Sequence, residues 1–339
     1  MLRPLYALVP VALLSTALAA CGGGEADQDP VNAVSKGIRG EVTEARAVKA
    51  SAFPKPDPNE QLEDFASEFD TTTGTQAVAA SSVFTPPASR LAFGLMAEDG
   101  QFAYGQTVVY LQRRAGGPIA GPIAAPADVL VTQERYRSQQ AASEKDPFAA
   151  VYEAELPLQR TGIYNVLVVS ELSSGTRVAA PLAIQVRAKR NDPVPAVGDR
   201  APKVPTDTLD SVRGDVKLLD TRVPPAPQLA RTSFADVVGK KPVALLFATP
   251  QLCQSRVCGP VTDAMLQLKA KYGDKMTFIH QEVYKGNDPT KGLRKPLKAF
   301  GLPSEPWLFT VSADGRIAAR MEGSIGLTDF ERAIQAALR

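Results

Sequence analysis

Apolar positions along this chain fall into five textures, and each predicts a different kind of structure. From Leu5 to about Ala20 they run nearly unbroken behind one basic residue, Arg3. That run is short for a membrane span and ends in small residues, the plan of a secretory signal peptide over residues 1–20. Residues 21–80 hold no sustained apolar period; "GGGEADQDPVNAVSKG" and "AFPKPDPNEQ" are polar and rich in Gly or Pro, which predicts a flexible tether. Residues 81–188 carry short β-rich runs such as "RLAFGLMA", "QTVVYLQR", "AVYEAELPL" and "GIYNVLVVSEL", separated by turn signals such as "EDG", "RAGGPIAGP" and "SSG". That spacing predicts an antiparallel β-sandwich. Residues 189–205 place four prolines among clustered charges, as an interdomain linker would.

From 206 to 339 strand and helix patterns alternate. "GDVKLLDTR" and "KPVALLFAT" predict strands, with "SFADVVG" a short helix between them. In "GPVTDAMLQLKAKYG" the apolar residues Val261, Met265, Leu268 and Tyr272 are spaced four, three and four, one stripe of a helix. "KMTFIHQEVY" predicts the next strand, "LRKPLKAFG" a short helix, and "PWLFTVSADGRIAARMEG" a strand pair. Thr328 and Glu331 form a capping-box pattern at the start of a closing helix. The fold class expected is therefore multidomain, an all-β sandwich followed by an α/β domain.

Composition narrows the function classes. A chain of 339 residues suits about two domains. A net charge of +2 leaves no basic footprint for nucleic acid. The single aromatic singled out in the sandwich, Tyr164, reads as a core or corner residue, and no catalytic constellation stands out there. The basic loop "YKGNDPTKGLRKPLK", with Lys285, Lys291, Arg294, Lys295 and Lys298, reads as a solvated loop.

Three cysteines remain, and they carry the chemistry. "LAAC" at Leu18–Cys21 resembles the lipobox of bacterial lipoproteins. The resemblance implies cleavage before Cys21, thioether lipidation of its sulfur, and a protein held to the membrane on the extracytoplasmic face. Cys253 and Cys258 are then left with each other in a compartment where disulfides persist.

The order of motifs from about Val197 to Arg339 resembles the thioredoxin-like fold, in the branch of extracytoplasmic, membrane-tethered thiol-disulfide proteins. "VGDRAP" is similar to the opening segment of that branch. An apolar strand ending in Phe247-Ala248 leads into a two-cysteine turn and a long helix, and "GLPSEPWLF" is similar to the segment that holds the family's cis-proline. The sandwich is similar to immunoglobulin-like modules through "TGIYNVLVV". The thioredoxin resemblance implies Cys253 as attacking thiol and Cys258 as resolving thiol, with Pro306, Glu305 and Arg256 shaping the site. It also implies protein thiols or disulfides outside the cytoplasm as partners, and no cofactor.

Two departures from the family pattern bear on function. "QSRV" puts four residues between the cysteines where two are usual. Positions five apart on a helix differ by about 140°, so Cys253 belongs to the preceding loop and Cys258 to the first turn. Leu245 stands where a buried acid often assists proton transfer. The alternatives are a binding module with a permanent disulfide, or a copper chaperone like the Sco type, for which His280 is the sole histidine available. A peroxidase fits less well, because Thr249 lies four residues before Cys253 rather than three.

Overall fold

Alternating apolar residues build the N-terminal half into two sheets. In the computed structural model, which describes residues 29–142, 148–253 and 255–339, helices α1 (Arg39–Arg46) and α2 (Leu62–Ala66) precede eight strands. These are β1 (Gln76–Ala79), β2 (Ala88–Met96), β3 (Gly105–Arg113), β4 (Ala120–Ala124), β5 (Ala127–Val129), β6 (Ala150–Pro157), β7 (Gly162–Leu172) and β8 (Arg177–Val186). They form sheets of order β1-β2-β6-β5 and β4-β3-β7-β8. One core lies between them, with Leu91, Phe93 and Leu95 of β2 against Val109 and Leu111 of β3 and Val166 and Val168 of β7. Tyr164 is a buried corner residue: its hydroxyl donates to the Arg160 carbonyl at 3.0 Å.

The expected tether is folded from Asp29 onward. Residues on the outer faces of β3 and β7, Val108, Tyr110, Leu167 and Val169, are covered by Phe53, Leu62, Phe65 and Phe69. The Phe65 ring meets Tyr110 edge-on at 4.7 Å, and the Tyr110 hydroxyl donates to the Pro54 carbonyl at 2.7 Å. Val31, Val34, Val42 and Ala45 join the inner core. The physical reason is the sheet: an apolar outer face of that size needs a cover, and these residues supply it. Cys21 and the signal segment lie outside the described residues.

The C-terminal domain contains α3 (Phe234–Val237), β9 (Val243–Phe247), α4 (Cys258–Tyr272), β10 (Thr277–Gln281), α5 (Lys295–Ala299), β11 (Trp307–Val311), β12 (Ile317–Glu322) and α6 (Leu327–Leu338). Its sheet has the order β10-β9-β11-β12, with β9 and β10 parallel and the other pairs antiparallel. That order, with a helix leaving the end of β9 and another following β12, is a thioredoxin-like arrangement. All five residues of β9 are buried because both faces are covered. Ala244 and Leu246 pack with Val261, Met265, Leu268 and Tyr272 of α4 and with α6; Val243, Leu245 and Phe247 pack on the other side with Phe234, Leu297 and Phe300.

Two further expectations change. "GDVKLLDTR" contains a short 3-10 turn, Val216–Leu218, rather than a strand. The linker 189–205 is not a free hinge: Gly198 and Ala201 donate to the carbonyls of Ile317 and Gly315 at 2.9 and 3.0 Å, and Val194 and Ala201 enter the core. It covers the open edge of β12, which would otherwise offer unpaired backbone groups.

The two domains meet through buried charge. Arg90 of β2 pairs with Glu153 and Asp329 and donates to the carbonyls of Glu322 and Ser324. Asp128 of β5 accepts the Thr328 and Asp329 N–H groups at 3.1 and 2.8 Å. It thus caps α6 from the other domain, in place of the local Thr328–Glu331 box. Gly326 makes this possible, since a Cβ there would lie 2.2 Å from the Asp128 carboxyl carbon. Glu331 bonds instead to the Tyr272 hydroxyl and Lys271.

Candidate active site

After β9 the chain turns at Thr249, whose carbonyl accepts the Cys253 N–H at 3.1 Å. Arg256 takes φ 59°, a left-handed turn that brings the chain back to start α4 at Cys258. Arg256 N–H in turn donates to the Cys253 carbonyl at 3.3 Å. Cys253 therefore lies in the loop and Cys258 at the first helical position. Both side chains are buried and carry free thiols.

The two sulfurs have opposite environments. The Cys253 thiol is pushed down to about 6, first by a hydrogen bond from the Cys258 thiol, against the opposing effect of burial. Ser255, whose hydroxyl is 3.2 Å away, and the N–H groups of Cys258 and Val257 add to the lowering. These N–H groups are the unpaired donors of a helix N-terminus, which stabilise a thiolate. Cys258 is raised well above its ordinary value, chiefly by burial and then by Cys253.

The Glu305–Pro306 bond is cis. Glu305 is held above the usual carboxylate range by burial and by the negative charge of Cys253, while the Tyr284 hydroxyl, 3.4 Å from its Oε1, works the other way. The Cys258 thiol senses Glu305 in turn. Tyr284 belongs to the same cluster, its phenol raised by burial and by Glu305. Sequence reasoning missed it because it sits in the basic loop. That loop is also tied down: Arg294 pairs with Asp207 and donates to the Leu218 carbonyl and Asn287.

The sandwich reaches this site. Gly259, next to Cys258, packs so closely on the loop after β5 that a Cβ would lie 2.3 Å from the Gln140 carbonyl oxygen. Beside it Phe102, Gln140, Phe148, Ser255, Arg256 and Pro260 line a cavity of about 120 Å³, with the two phenyl rings 4.8 Å apart. Nothing in the sequence pattern paired residues 140 and 259.

His280 is not with the cysteines. Its Nε2 is 3.0 Å from the Ala248 carbonyl oxygen and its Nδ1 faces Asp220. Among the described residues, the groupings of potential metal ligands include neither cysteine. The two-cysteine, one-histidine set that a copper chaperone would need is thus not brought together. Leu245 lies in the apolar core, paired with Ile279 and Phe309, so no carboxylate occupies that point.

No protein-family model matches the chain, and no curated protein matches it. Among solved structures, the chain is similar to a putative thiol:disulfide interchange protein DsbE from Chlorobium tepidum. The identity is 18% and the TM-score 0.31, covering 42% of this chain and 99% of that one. A second Chlorobium tepidum thiol:disulfide interchange protein of the thioredoxin family gives 18% identity and a TM-score of 0.29, covering 43% and 100%. Murine CRIg gives 18% and 0.20, covering 34% and 98%. Likenesses this distant carry no argument of their own; the thioredoxin-like description rests on the sheet order and helix positions above.

Proposed function

We propose that this protein is a thiol-disulfide oxidoreductase acting on protein thiols or disulfides outside the cytoplasm, held to the membrane by a lipid on Cys21. The observation that carries the redox reading is the inequality of the pair. Cys253 has its sulfur among helix N-terminal donors and is a thiolate at neutral pH; Cys258 behind it stays protonated. The Cys253 thiolate attacks a partner disulfide, the partner's S–S bond breaks, and the released partner sulfur takes up a proton. Cys258 then gives up its proton and attacks the mixed disulfide, leaving the pair oxidised and the partner reduced by two electrons; the reverse sequence oxidises a partner. A partner segment beside Cys253 would lie along the cis-proline and the Phe102–Phe148 cavity, which gives the sandwich a part in choosing it.

Cys258→Ser is expected to accumulate a mixed disulfide on Cys253, visible on non-reducing gels after acid trapping; Cys253→Ser is expected to accumulate none. Alkylation of Cys253 by iodoacetamide should titrate with a midpoint near pH 6, against about 8.5 for a free thiol. The folded value is depressed, so the reduced protein gains stability as pH rises from about 6 towards the unfolded value, and loses it again on acidification.

A fixed structural bridge is favoured by one observation, the burial of both residues, Cys253 at 8% exposure and Cys258 at 0%. The reduction potential separates the two. A value near the ~−270 mV of thioredoxin supports exchange, and one far below it supports a staple. The lipid anchor is tested by Cys21→Ser, which should release the protein from membranes.

A further inference from the structure

We propose that Asp220, His280 and Glu282 form a binding site for one divalent transition-metal cation of the zinc class, beneath the turn that carries Cys253. His280 lies in β10 and Glu282 directly follows its last residue; being two apart in extended chain, they project to the same side. Asp220 arrives from the segment between the 3-10 turn at Val216–Leu218 and α3. One ligand atom from each lies within 4.8 Å of the others, and all three residues are buried.

The proton positions are dictated by the neighbours. The Ala248 carbonyl can only accept, so Nε2 of His280, 3.0 Å from it, carries the ring proton. Nδ1 of a neutral ring then presents a lone pair towards Asp220 Oδ1 at 3.7 Å. That distance is too long for a hydrogen bond. It is close to the ~3.4 Å edge of a tetrahedron whose ligands sit about 2.1 Å from a zinc ion. Three electron-rich atoms facing one another in a buried space repel unless a positive charge lies between them. Among the described residues, neither carboxylate forms a salt bridge with a lysine or arginine.

An independent observation points the same way. Glu282 is fully buried; its Oε1 accepts both the N–H and the hydroxyl of Thr221 at 2.7 Å, yet its Oε2 has no hydrogen-bond partner. Asp220 is pre-set in the same manner, its Oδ1 accepting Arg222 N–H at 2.9 Å and its Oδ2 accepting Ala226 N–H at 2.6 Å. Hydrogen-bonded carboxylates and a histidine donating its second N–H to a carbonyl are the outer contacts that orient metal ligands. One imidazole nitrogen and two carboxylate oxygens suit zinc, cobalt(II), manganese(II) or iron(II) better than copper(I). Two negative charges and a neutral ring also balance a dication.

The site adjoins the redox turn without sharing its sulfurs. His280 holds the Ala248 carbonyl, and Thr221 accepts the Gln251 N–H at 3.1 Å. A bound cation would therefore clamp both ends of the segment leading to Cys253.

The chain has one histidine, which makes the test direct. In the full chain carrying Cys21→Ser, Cys253→Ser and Cys258→Ser, so that thiols cannot bind the ion, ¹⁵N-histidine NMR should show the Nε2–H tautomer. One equivalent of Zn²⁺ should then shift the Nδ1 resonance, and Co²⁺ should broaden it with the same stoichiometry. In the same background Glu282→Gln, which keeps the Thr221 hydrogen bonds, should weaken binding at least tenfold, and His280→Ala should abolish it. The proposal is overturned if the imidazole signal responds to pH but not to several equivalents of Zn²⁺ or Co²⁺, which would mean that a proton alone occupies the site. It is also overturned if Zn²⁺ binds equally well to Glu282→Gln. Should His280→Ala fail to fold, the NMR titration of the parent and Glu282→Gln decide.

Discussion

The sandwich touches the thioredoxin-like domain at β12, α6 and α4, and the contacts at the two helices share buried charge but differ in what lies beside them. At α6 the contact is a lock: Arg90 and Asp128 enter from the sandwich, and the hydrogen bonds they make run to Asp329, Thr328 and the carbonyls of Glu322 and Ser324. At α4 Asp263, paired with the buried Arg222, accepts the Ser138 N–H and hydroxyl at 2.9 and 3.0 Å and the Gln140 backbone presses on Gly259, but beside that contact Phe102 and Phe148 leave a cavity next to Ser255 and Arg256. Paired buried charge fixes orientation, because moving either partner strands an ion. A recess walled by two phenyl rings and reaching Ser255 and Arg256, between the two cysteines in sequence, leaves room for something to be received. Both contacts hold the domains, and only the one at α4 also borders the turn between Cys253 and Cys258.

The largest blow to this contrast is Arg90→Ala. It strands Glu153 and leaves Asp329, among the described residues, with Arg332 alone, and breaking such a buried pair costs about 3–5 kcal/mol; urea denaturation should show that loss and an earlier unfolding of the C-terminal domain. If stability is unchanged, α6 is not locked by charge. Gly259→Ala attacks the other contact, forcing the Gln140 loop away at about 1–3 kcal/mol, the usual cost of overpacking. Its distinguishing readout is faster alkylation of Cys253, since the wall beside the turn withdraws; an unaltered rate would show that the sandwich does not screen the sulfur. Asp128→Ala removes the cap on α6 supplied by the other domain, for a loss of about 0.5–2 kcal/mol. That change should leave Cys253 reactivity untouched. The smallest effect is expected of Glu305→Gln. Glu305 and Cys253 raise each other's negative-charge cost, so removing the carboxylate should move the Cys253 alkylation midpoint slightly below its value of about 6. An upward movement would mean that Glu305 helps the thiolate.

Much of the architecture was legible because it is written in local periods. Alternation in "GQTVVYLQR" and "GIYNVLVVSEL" marks β3 and β7, and the stripe Val261, Met265, Leu268, Tyr272 marks the buried face of α4. Residues 29–80 were illegible for the same reason. Their helices are short: Leu62, Phe65 and Phe69 keep a three-and-four helical spacing, but over too few residues to signal an element alone, and what places them with Phe53 is the outer face of β3 and β7. The Thr328–Glu331 pattern misled because a capping box is a local signal, and the cap that wins comes from Asp128, two hundred residues earlier.

The candidate site divides along the same line. From residue types and order alone came the spaced cysteines, their place between an apolar strand and a long helix, Pro306 in "SEPW", and the lone histidine. Only the tertiary structure brought Tyr284 to Glu305, Gln140 to Gly259, and Asp220 and Glu282 to His280. Sequence determines what is periodic or adjacent along the chain, since those patterns reflect forces acting over a few residues. Which buried polar groups meet, and so which thiol is pushed down and which carboxylate oxygen is left without a hydrogen-bond partner, depends on the packing of distant segments around a shared core.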